Sequence, residues 1–392
     1  MRAVGIINEY DPIHAGHAWQ LAAVRDAGAE AVAVCMSADL TQRGGPALLP
    51  PAVRARAALQ NGADLVICLP NCYSTQSAEG FAAAGVALLS ALPGVDTLAF
   101  GAETPDGELL MSATRALLSR AFGDALSKRL QKGANFAVAR AAAAEYLCPG
   151  AGEVLRGANN NLGVEYCKAI LTQGSSLRPL ALPRKGAEHG QKTAGEAGFA
   201  SASFLRGAFC QGGPAALAPW VPENALPLYD AAFAAGQDID EQVFGTALLS
   251  RLRAMSTGQL AAIRGTGEGL EFLLAKAVRK STSLPQLYET MKSKRYAHAR
   301  LRRYALAAAL GYTDALPALP PYLQVLGANQ TGLALLKGAA LPADTSLAAL
   351  QKQSEAAAQV AAAHAAGADL AALCRHTPAP MGESYTQKPV LL

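Results

Sequence analysis

The stretch VGIINEYDPIHAGHAWQL, residues 4 to 21, decides the fold. It opens with an apolar run that ends at Asn8, which predicts a buried strand, and it closes with residues typical of a helix. Between the two, His14 and His17 stand three residues apart around Gly16, in a chain that has only 6 histidines. A strand that leads through a histidine-bearing turn into a helix is the first unit of an α/β fold.

The same alternation continues through the first 185 residues and predicts an α/β domain with a parallel sheet. The predicted strands are 2–8, 31–37, 64–70, 95–103 and 177–184. The predicted helices are 16–27, 53–62, 77–92, 109–122, 125–147 and 159–174. Ligands of such sheets bind at the carboxyl ends of the strands, so we expect the loops that directly follow each strand to carry the function.

The pattern changes after Arg184, where a Gly/Ala/Ser-rich stretch from Lys185 to Pro214 predicts a loop or linker. The segments beyond it predict helices at 237–255, 257–263, 268–279, 284–311, 331–337 and 345–365. We therefore expect a Rossmann-like domain over 1–185 and a mostly helical domain over 186–392.

Composition narrows the class of protein. Apolar residues make up 51% and charged residues 16%, which is ordinary for a well-buried globular protein. The first residues have a short apolar run that is broken at Asn8, and no apolar run is long enough to span a membrane, so neither a signal peptide nor a membrane partner is expected. The 7 cysteines are scattered without a CxxC pair, which predicts reduced thiols, a cytoplasmic location and no structural zinc. The sequence leaves the oligomeric state open.

The turn around Gly16 suits a nucleotide phosphate chain. Glycine lets a ligand approach the backbone, and a helix that begins there directs unpaired N–H groups and its positive dipole end at an anion. Imidazoles at His14 and His17 add donors on one side of the first turn. One alternative is that both histidines are ordinary loop and helix-cap residues. A metal site is a less favoured third interpretation, because no further His or Cys ligand lies nearby.

Several motifs in one order resemble a known family. The string HAGH, residues 14 to 17, resembles the HxGH signature of the nucleotidyltransferase superfamily. The fuller stretch 4–17 is similar to the bacterial tRNA(Met) cytidine acetate ligases. The resemblance also rests on MSADLTQRGGPALL, NGADLVICLP, STQSAEGFA, GVDTLAFGAE, NNNLGVEYCKAI, SKRYAHARLRRYAL, LGANQTG and YTQKPV.

The resemblance implies a reaction with two steps. ATP activates acetate as acetyl-adenylate with release of pyrophosphate, and the acetyl group then passes to N4 of the wobble cytidine in elongator tRNA(Met). The implied small molecules are ATP, acetate and Mg²⁺ that travels with the phosphates. Such chemistry needs positioning and charge neutralisation, which fits His14 and His17 as the catalytic pair, and no metal-binding residues are expected.

The resemblance also implies the residues that contact ATP. They are Ile7, Asn8, Glu9, Tyr10, Asp11, Pro12, Ile13, His14, Ala15, Gly16, His17, Ala18, Trp19, Gln20, Gly101, Asn159 and Arg184. Taken alone, Gly101 is also a turn glycine, Asn159 a helix cap and Arg184 a surface charge. Gln42 and Arg43, beside two glycines, are expected in a flexible lid, and Arg54 is a weaker phosphate candidate.

Three positions depart from the family pattern. Asp11 stands where asparagine is common, Cys68 where glutamate is common, and Ala102 where serine is frequent. A carboxylate at Asp11 would weaken ATP binding unless it binds Mg²⁺ or is turned away.

Residues 292 to 303, KSKRYAHARLRR, hold six Lys/Arg and no acid. As a helix, this segment predicts a basic surface that binds tRNA phosphates, with Tyr296 as a stacking face and Lys276, Arg279 and Lys280 nearby. The alternative is a solvated helix face. The candidate tRNA-binding residues are Lys292, Lys294, Arg295, Arg300, Arg302 and Arg303.

Two other functions stay open at this point. A small-molecule adenylyltransferase of the same superfamily would need no basic helical second domain and would favour a shorter chain. A catalytically silent RNA-binding relative would keep the fold without the reaction, and Asp11 is the main reason to consider it.

Overall fold

A computed structural model of the chain describes residues 2–131, 136–184, 199–293 and 295–392, with the backbone alone at 136 and 137. The expected domain boundary between 185 and 186 lies outside these ranges. The strands are β1 (Ala3–Asn8), β2 (Ala31–Ser37), β3 (Leu40–Thr41), β4 (Gly45–Pro46), β5 (Leu65–Leu69), β6 (Val95–Ala102), β7 (Arg178–Pro183), β8 (Leu323–Ala328), β9 (Ala343–Asp344) and β10 (Val390–Leu391).

Helices cover both faces of the sheet and build most of the second half. Those before residue 185 are α1 (Ala15–Asp26), α2 (Pro51–Gln60), α3 (Asn71–Ser74), α4 (Ala78–Ser90), α5 (Gly107–Leu118), α6 (Arg120–Gln131), α7 (Phe136–Leu147), α8 (Ala151–Val154) and α9 (Ala158–Thr172). The later ones are α10 (Ala202–Gly212), α11 (Leu226–Ala234), α12 (Glu241–Arg253), α13 (Thr257–Ala261), α14 (Leu270–Lys280), α15 (Leu284–Met291), α16 (His298–Leu310), α17 (Gln330–Leu335), α18 (Leu347–Leu350), α19 (Glu355–Leu373) and α20 (Glu383–Thr386).

The main sheet runs in the order β10-β8-β5-β2-β1-β6-β7, with β9 beside β8. The pairs β1–β2, β2–β5, β1–β6 and β6–β7 are parallel, which confirms the predicted α/β fold. The chain builds outward from β1 through β2 to β5 and then returns to place β6 on the other side of β1. The order therefore reverses between β1 and β6, and the carboxyl ends of these two strands flank the usual ligand crevice.

The sheet is buried on both faces because its strands alternate side chains between two cores. On β1, Ile7 packs into a core with α4 and α9, while Ile6 packs into the opposite core with α1 and α2. All seven residues of β2 are buried. A third core lies among α12 to α16, around Leu248, Leu274 and Leu301.

The structure corrects several expectations about the elements. Residues 202–212, within the predicted linker, form helix α10. The predicted helix 284–311 is two helices, α15 and α16, because the chain turns between them and buries Tyr296. The predicted helix 125–147 likewise lies across two helices, α6 and α7, and the predicted helix 345–365 lies across α18 and α19. Finally, β8 is a strand that the sequence pattern does not predict. It joins the sheet of the first half by pairing antiparallel with β5.

The segment with Gln42 and Arg43, expected to be a flexible lid, is the turn of a hairpin formed by β3 and β4. Gly44 in this turn has a φ of +80°, and a Cβ there would lie 2.6 Å from the backbone nitrogen of Arg303 on α16. Arg303 also donates to the Gln42 carbonyl oxygen at 3.3 Å. The hairpin is therefore fastened to α16.

We predict that Gly44→Ala lowers the free energy of unfolding by about 1–3 kcal/mol, because the added methyl group meets backbone and the left-handed conformation is strained. Gly45→Ala is the matched control, since nothing lies within 4 Å of its Cβ position, and we expect a change within about 0.5 kcal/mol. Urea unfolding of both variants measures this. Equal stability of the two would contradict the close packing of hairpin and helix.

Candidate functional site

His14 begins helix α1 as its N-cap. Its Nδ1 accepts a hydrogen bond from the N–H of Gly16 at 3.1 Å, and its carbonyl oxygen accepts from the N–H groups of His17 and Ala18. The N–H of Ala15 donates to the carbonyl oxygen of Trp220 at 2.8 Å. All four N–H groups that open the helix are thus used within the protein.

This corrects the expectation of unpaired backbone donors at the start of α1. The N-cap histidine takes the orphan N–H groups itself, as capping residues do. The positive end of the helix dipole still faces the carboxyl edge of the sheet. Donors for an anion must therefore come from side chains, and the histidines and nearby arginines supply them.

The two imidazole rings stack, with centroids 3.7 Å apart and 23° between the ring planes. The three-residue spacing does place both rings on one side of the first turn. Burial, followed by the positive charges of Arg184 and Arg206, lowers the pKa of His14 to about 3. Burial, then His14 and Arg184, lowers the pKa of His17 well below its ordinary value, while a hydrogen bond with the backbone of Pro12 acts in the opposite direction. Both rings are neutral at pH 7.

The hydrogen bond from Gly16 fixes the tautomer of His14. A neutral imidazole carries one N–H, and Nδ1 is the acceptor here, so the proton lies on Nε2. Within the described ranges the His14 ring has its one hydrogen bond at Nδ1, and the buried Nδ1 of His17 has no partner. Polar atoms of this kind fit a ligand that carries oxygen atoms.

Arg184 and Gly101 lie together at the carboxyl ends of β7 and β6. The Arg184 N–H donates to the Ala102 carbonyl oxygen at 3.2 Å, and a Cβ at Gly101 would lie 3.3 Å from Cγ of Arg184. Gly101 is therefore a strand residue that leaves room for the arginine, and the turn alternative is wrong. The positive charge of Arg184 contributes to the lowered pKa of both histidines.

Sequence reasoning missed Arg206, on the unpredicted helix α10. Its Nη1 donates to the Asp11 carbonyl oxygen at 3.2 Å. Burial, followed by the charge of Arg43, lowers the pKa of Arg206 to about 10, so the side chain remains positive at neutral pH. Its positive charge also contributes to the lowered pKa of His14. The sequence does not predict a role for Arg206, because a single arginine in an otherwise apolar helix forms no recognisable pattern.

Asp11 is turned away from the histidines. Its Oδ2 forms an ion pair with Arg43, and its Oδ1 accepts from the N–H of Leu48 at 2.7 Å. Its carboxylate is buried, and both oxygens have partners. The structure thus supports the expectation that Asp11 is turned away, and not the alternative that it binds Mg²⁺. Asp11 therefore gives no reason to infer a catalytically silent relative.

Arg54 is buried, so it is not available to contact a phosphate, contrary to the expectation. Its guanidinium donates to four carbonyl oxygens, those of Leu49, Glu9, Ser37 and Ala38. These carbonyls lie after β1, at the end of β2 and before α2. Arg54 therefore holds the loops of the carboxyl edge together.

Asn159 lies at the second position of α9, whose N-cap is Gly157, so the cap alternative is wrong. Glu103, just after β6, accepts from the Asn159 N–H at 3.0 Å, from its Nδ2 at 2.6 Å and from the Asn160 N–H at 2.7 Å. Burial alone would raise the pKa of Glu103, but these hydrogen bonds outweigh it and lower the pKa. Glu103 thus fixes Asn159 at the mouth of the crevice, another contact without a sequence signal.

The residues of the expected ATP-binding stretch form a buried group and a half-buried group. Its buried residues, which support the turn, are Ile7, Tyr10, Asp11, Pro12, Ile13 and Gln20. Its half-buried residues are Asn8, Glu9, His14, Ala15, Gly16, His17, Ala18 and Trp19. Tyr229 of α11 fixes the turn from outside, since its hydroxyl accepts from the Ile13 N–H at 3.1 Å.

The basic segment 292–303 is more varied than a uniform helix face. Lys294 lies outside the described residues. Arg295 and Arg300 share Glu268 as an ion-pair partner and lie over the ring of Tyr296. Tyr296 is itself buried and donates to the Glu268 carbonyl oxygen at 2.6 Å, so it offers no stacking face.

The remaining residues of this segment also have partners. Lys292 pairs with Glu289 at 3.2 Å, and Arg302 lies over the ring of Tyr288. Arg303 is half-buried against the hairpin turn. The segment begins outside α16, which starts at His298, so only its later arginines share a helix.

Other features of the described chain bear on the class of protein. All seven cysteines are free. Among the described residues, no three His, Cys, Asp or Glu side chains are grouped as metal ligands. No helix in those same ranges has both the length and the apolarity that crossing a membrane requires.

The fold and the site together define a nucleotidyltransferase. The first strand of a doubly wound sheet leads into stacked histidines at a helix start, beside two arginines at the point where the strand order reverses. Residues 1–379 match the model of the family described as HIGH Nucleotidyl Transferase.

Relatives narrow the family. The tRNA(Met) cytidine acetate ligase of Caldanaerobacter subterraneus subsp. tengcongensis is 36% identical, with 86% of each chain covered. That of Listeria monocytogenes is 32% identical, with 85% of each chain covered. The crystal structure of apo Thermotoga maritima TmcAL matches with a TM-score of 0.92 at 26% identity over 100% of both chains, and the form bound to alpha-thio ATP matches with 0.89 at 25%. The chain belongs to the tRNA(Met) cytidine acetate ligase family.

We predict that His14 stays neutral, with its proton on Nε2, as the pH falls from 8 to about 5. The reason is that its pKa in the folded protein is about 3, whereas an unfolded histidine titrates near 6.5. Nitrogen NMR of histidine-labelled protein reports both charge and tautomer, and His14→Asn assigns the signal.

The same spectra give the opposing outcome. Protonation of His14 with a midpoint near 6.5, or a proton on Nδ1, would contradict the capping geometry. The signals of unfolded protein in urea serve as the reference.

Proposed function

We propose that this protein uses ATP to activate acetate as acetyl-adenylate and then acetylates N4 of the wobble cytidine in elongator tRNA(Met). The observation that carries the proposal is the pair of neutral, stacked histidines beside Arg184 and Arg206 at the crevice between β1 and β6. The names of the relatives agree with this reaction.

In the first step an acetate oxygen attacks the α-phosphorus of ATP, and the bond to pyrophosphate breaks. The centre gains no covalent bond to the protein, so catalysis consists of positioning and charge stabilisation. Nε2–H of His14 donates to a phosphate oxygen, and the guanidinium groups of Arg184 and Arg206 neutralise the leaving pyrophosphate. Neutral histidines suit this role because they donate without adding to the repulsion among the cations.

Mg²⁺ would enter this site on the phosphates of ATP, because both oxygens of Asp11 are occupied by Arg43 and Leu48. In the second step the cytidine amine attacks the acyl carbon, the bond to AMP breaks, and the amine loses a proton. A stacked base cannot reach the adenylate, so the wobble cytidine must turn out of its stack.

We assign the chemistry to residues 1–185 and tRNA binding mainly to the helical part, 186–392. Support for this division is the basic segment 292–303, of which Lys292, Arg295, Arg300, Arg302 and Arg303 lie in the described chain. Strands β8 and β10 come from the second half of the chain but belong to the same sheet as the strands of the first half. The two parts therefore differ in proposed function more than they do as separate pieces of architecture. The free cysteines favour the cytoplasm, where thiols stay reduced.

We predict that His14→Asn lowers acetate-dependent exchange of label between pyrophosphate and ATP about 100-fold or more. Asparagine is a good N-cap, so helix α1 keeps its start, while the donor at Nε2 is lost. Binding of tRNA(Met) should stay within about twofold. The control is His298→Asn, which alters an exposed histidine on α16 and should leave exchange unchanged.

Exchange at the wild-type rate in His14→Asn would refute the role of the histidine. Wild-type protein that exchanges label but never acetylates tRNA(Met) would instead refute the proposed acceptor and favour a small-molecule adenylyltransferase.

A further inference from the structure

A second pocket lies on the same side of the molecule as the histidine crevice. It has a volume of about 200 Å³ and lies between the segment that follows β5 and helix α16. One wall holds Gln76 and Ser77, and the other holds Arg264, Arg300 and Arg303. No residue expected to contact ATP lines it.

The pocket is rich in donors that are not fully used. A guanidinium has five N–H groups. Among the described residues, the only hydrogen bond of the Arg303 side chain is to the Gln42 carbonyl oxygen, and Arg300 has Glu268 at 3.5 Å as its only ion-pair partner. Ser77 accepts from the Gly80 N–H as the N-cap of α4, which leaves its own O–H free to donate.

Nearby acids balance only part of the positive charge in the pocket, because Arg264 and Arg300 have ion-pair partners and Arg303 has none among the described residues. Burial, followed by the charge of Arg300, lowers the pKa of Arg303, and both arginines line the pocket. Glu79, in the first turn of α4, is occupied by an ion pair with Lys168 at 2.7 Å. The acid that pairs with Arg264 is Asp314, which is largely exposed. An entering anion would relieve the repulsion between the arginines.

The size of the pocket limits the ligand. Sites for whole small molecules occupy roughly 300–1,000 Å³, so this one fits a fragment such as a phosphate group. Its floor, formed by Tyr304 and Ala307, is apolar and offers room beside the cationic wall.

We propose that this pocket binds one backbone phosphate of the tRNA, held by Arg300 and Arg303 and by the O–H of Ser77. The inference rests on the proposed function, because it takes the RNA substrate as given.

The hairpin turn links this pocket to the crevice. The N–H of Gln42 donates to Glu9 at 2.7 Å, and its carbonyl oxygen accepts from Arg303. One residue therefore spans the distance between the histidine-bearing segment and the pocket. A phosphate fixed there would hold a neighbouring nucleotide near the adenylate, and the same hairpin separates the pocket from ATP.

The test uses the full-length protein and three variants. Arg300→Gln removes a cation from one wall, and Gln76→Glu adds a negative charge to the other wall without changing its shape. Arg178→Gln is the control, because Arg178 is an exposed arginine at the start of β7, at the opposite edge of the sheet, and pairs with Asp96. Each variant is measured for tRNA(Met) affinity over a range of salt concentrations and for pyrophosphate exchange without RNA.

We expect Arg300→Gln to weaken tRNA binding about tenfold and to reduce the slope of log affinity against log salt by about 1. Gln76→Glu should weaken binding at least as much. Exchange without RNA should remain within about twofold of wild type in all three variants. Ethylation of tRNA phosphates should also reveal one phosphate that wild-type protein requires and Arg300→Gln does not.

Three results would overturn the proposal. Affinity and salt slope equal to those of Arg178→Gln would show that the pocket holds no RNA phosphate. Impaired exchange without RNA would assign the pocket to ATP or pyrophosphate. Weaker binding in Arg300→Gln with no effect of Gln76→Glu would indicate a contact on the outer face of α16 alone. In each case tRNA acetylation by wild-type protein shows that the proposed function itself still holds.

Discussion

The buried guanidinium of Arg54 is the interaction on which the site depends. Shielded from solvent, this guanidinium donates hydrogen bonds to four backbone carbonyl oxygens, which belong to three separate segments at the carboxyl edge of the sheet. Burial lowers its pKa, while Asp11, Asp39 and Glu9 act in the opposite direction, so the cation stays charged among partners that favour it. A neutral residue of similar size would leave those carbonyls unpaired, and buried polar groups without partners are costly. The turn after β1 keeps its shape because this side chain fixes it from below.

The same turn is held from three other directions. Arg43 neutralises Asp11, Tyr229 accepts from Ile13, and Trp220 accepts from Ala15. With the backbone so constrained, His14 can act both as the helix cap and as an outward donor, one role for each ring nitrogen. Burial, and after it the charges of nearby groups, keeps the two histidines neutral. The result is a cationic crevice whose donors need no reorganisation when a polyanion arrives.

The sequence predicted the parts of this arrangement that follow from local patterns. Continuous apolar strands and helix-length segments established the α/β fold, and the position of HAGH after β1 located the crevice. Contacts between distant segments were not predicted. Arg206 reaches the histidine-bearing turn from a helix inside a stretch that resembles a linker. Strand β8 pairs with β5, which lies more than 250 residues earlier in the chain. Neither feature has a periodicity of its own. The unpaired N–H groups were expected from the general behaviour of helix starts, and only the structure shows that His14 and Trp220 take them.

A crystal structure of this protein with a non-hydrolysable ATP analogue tests the central claim most directly. We expect the triphosphate at the start of α1, with a phosphate oxygen at hydrogen-bond distance, about 2.7–3.2 Å, from Nε2 of His14 and a second contact from Arg184 or Arg206. A nucleotide bound outside the crevice between β1 and β6, or one whose phosphates leave both histidines without contact, would contradict it.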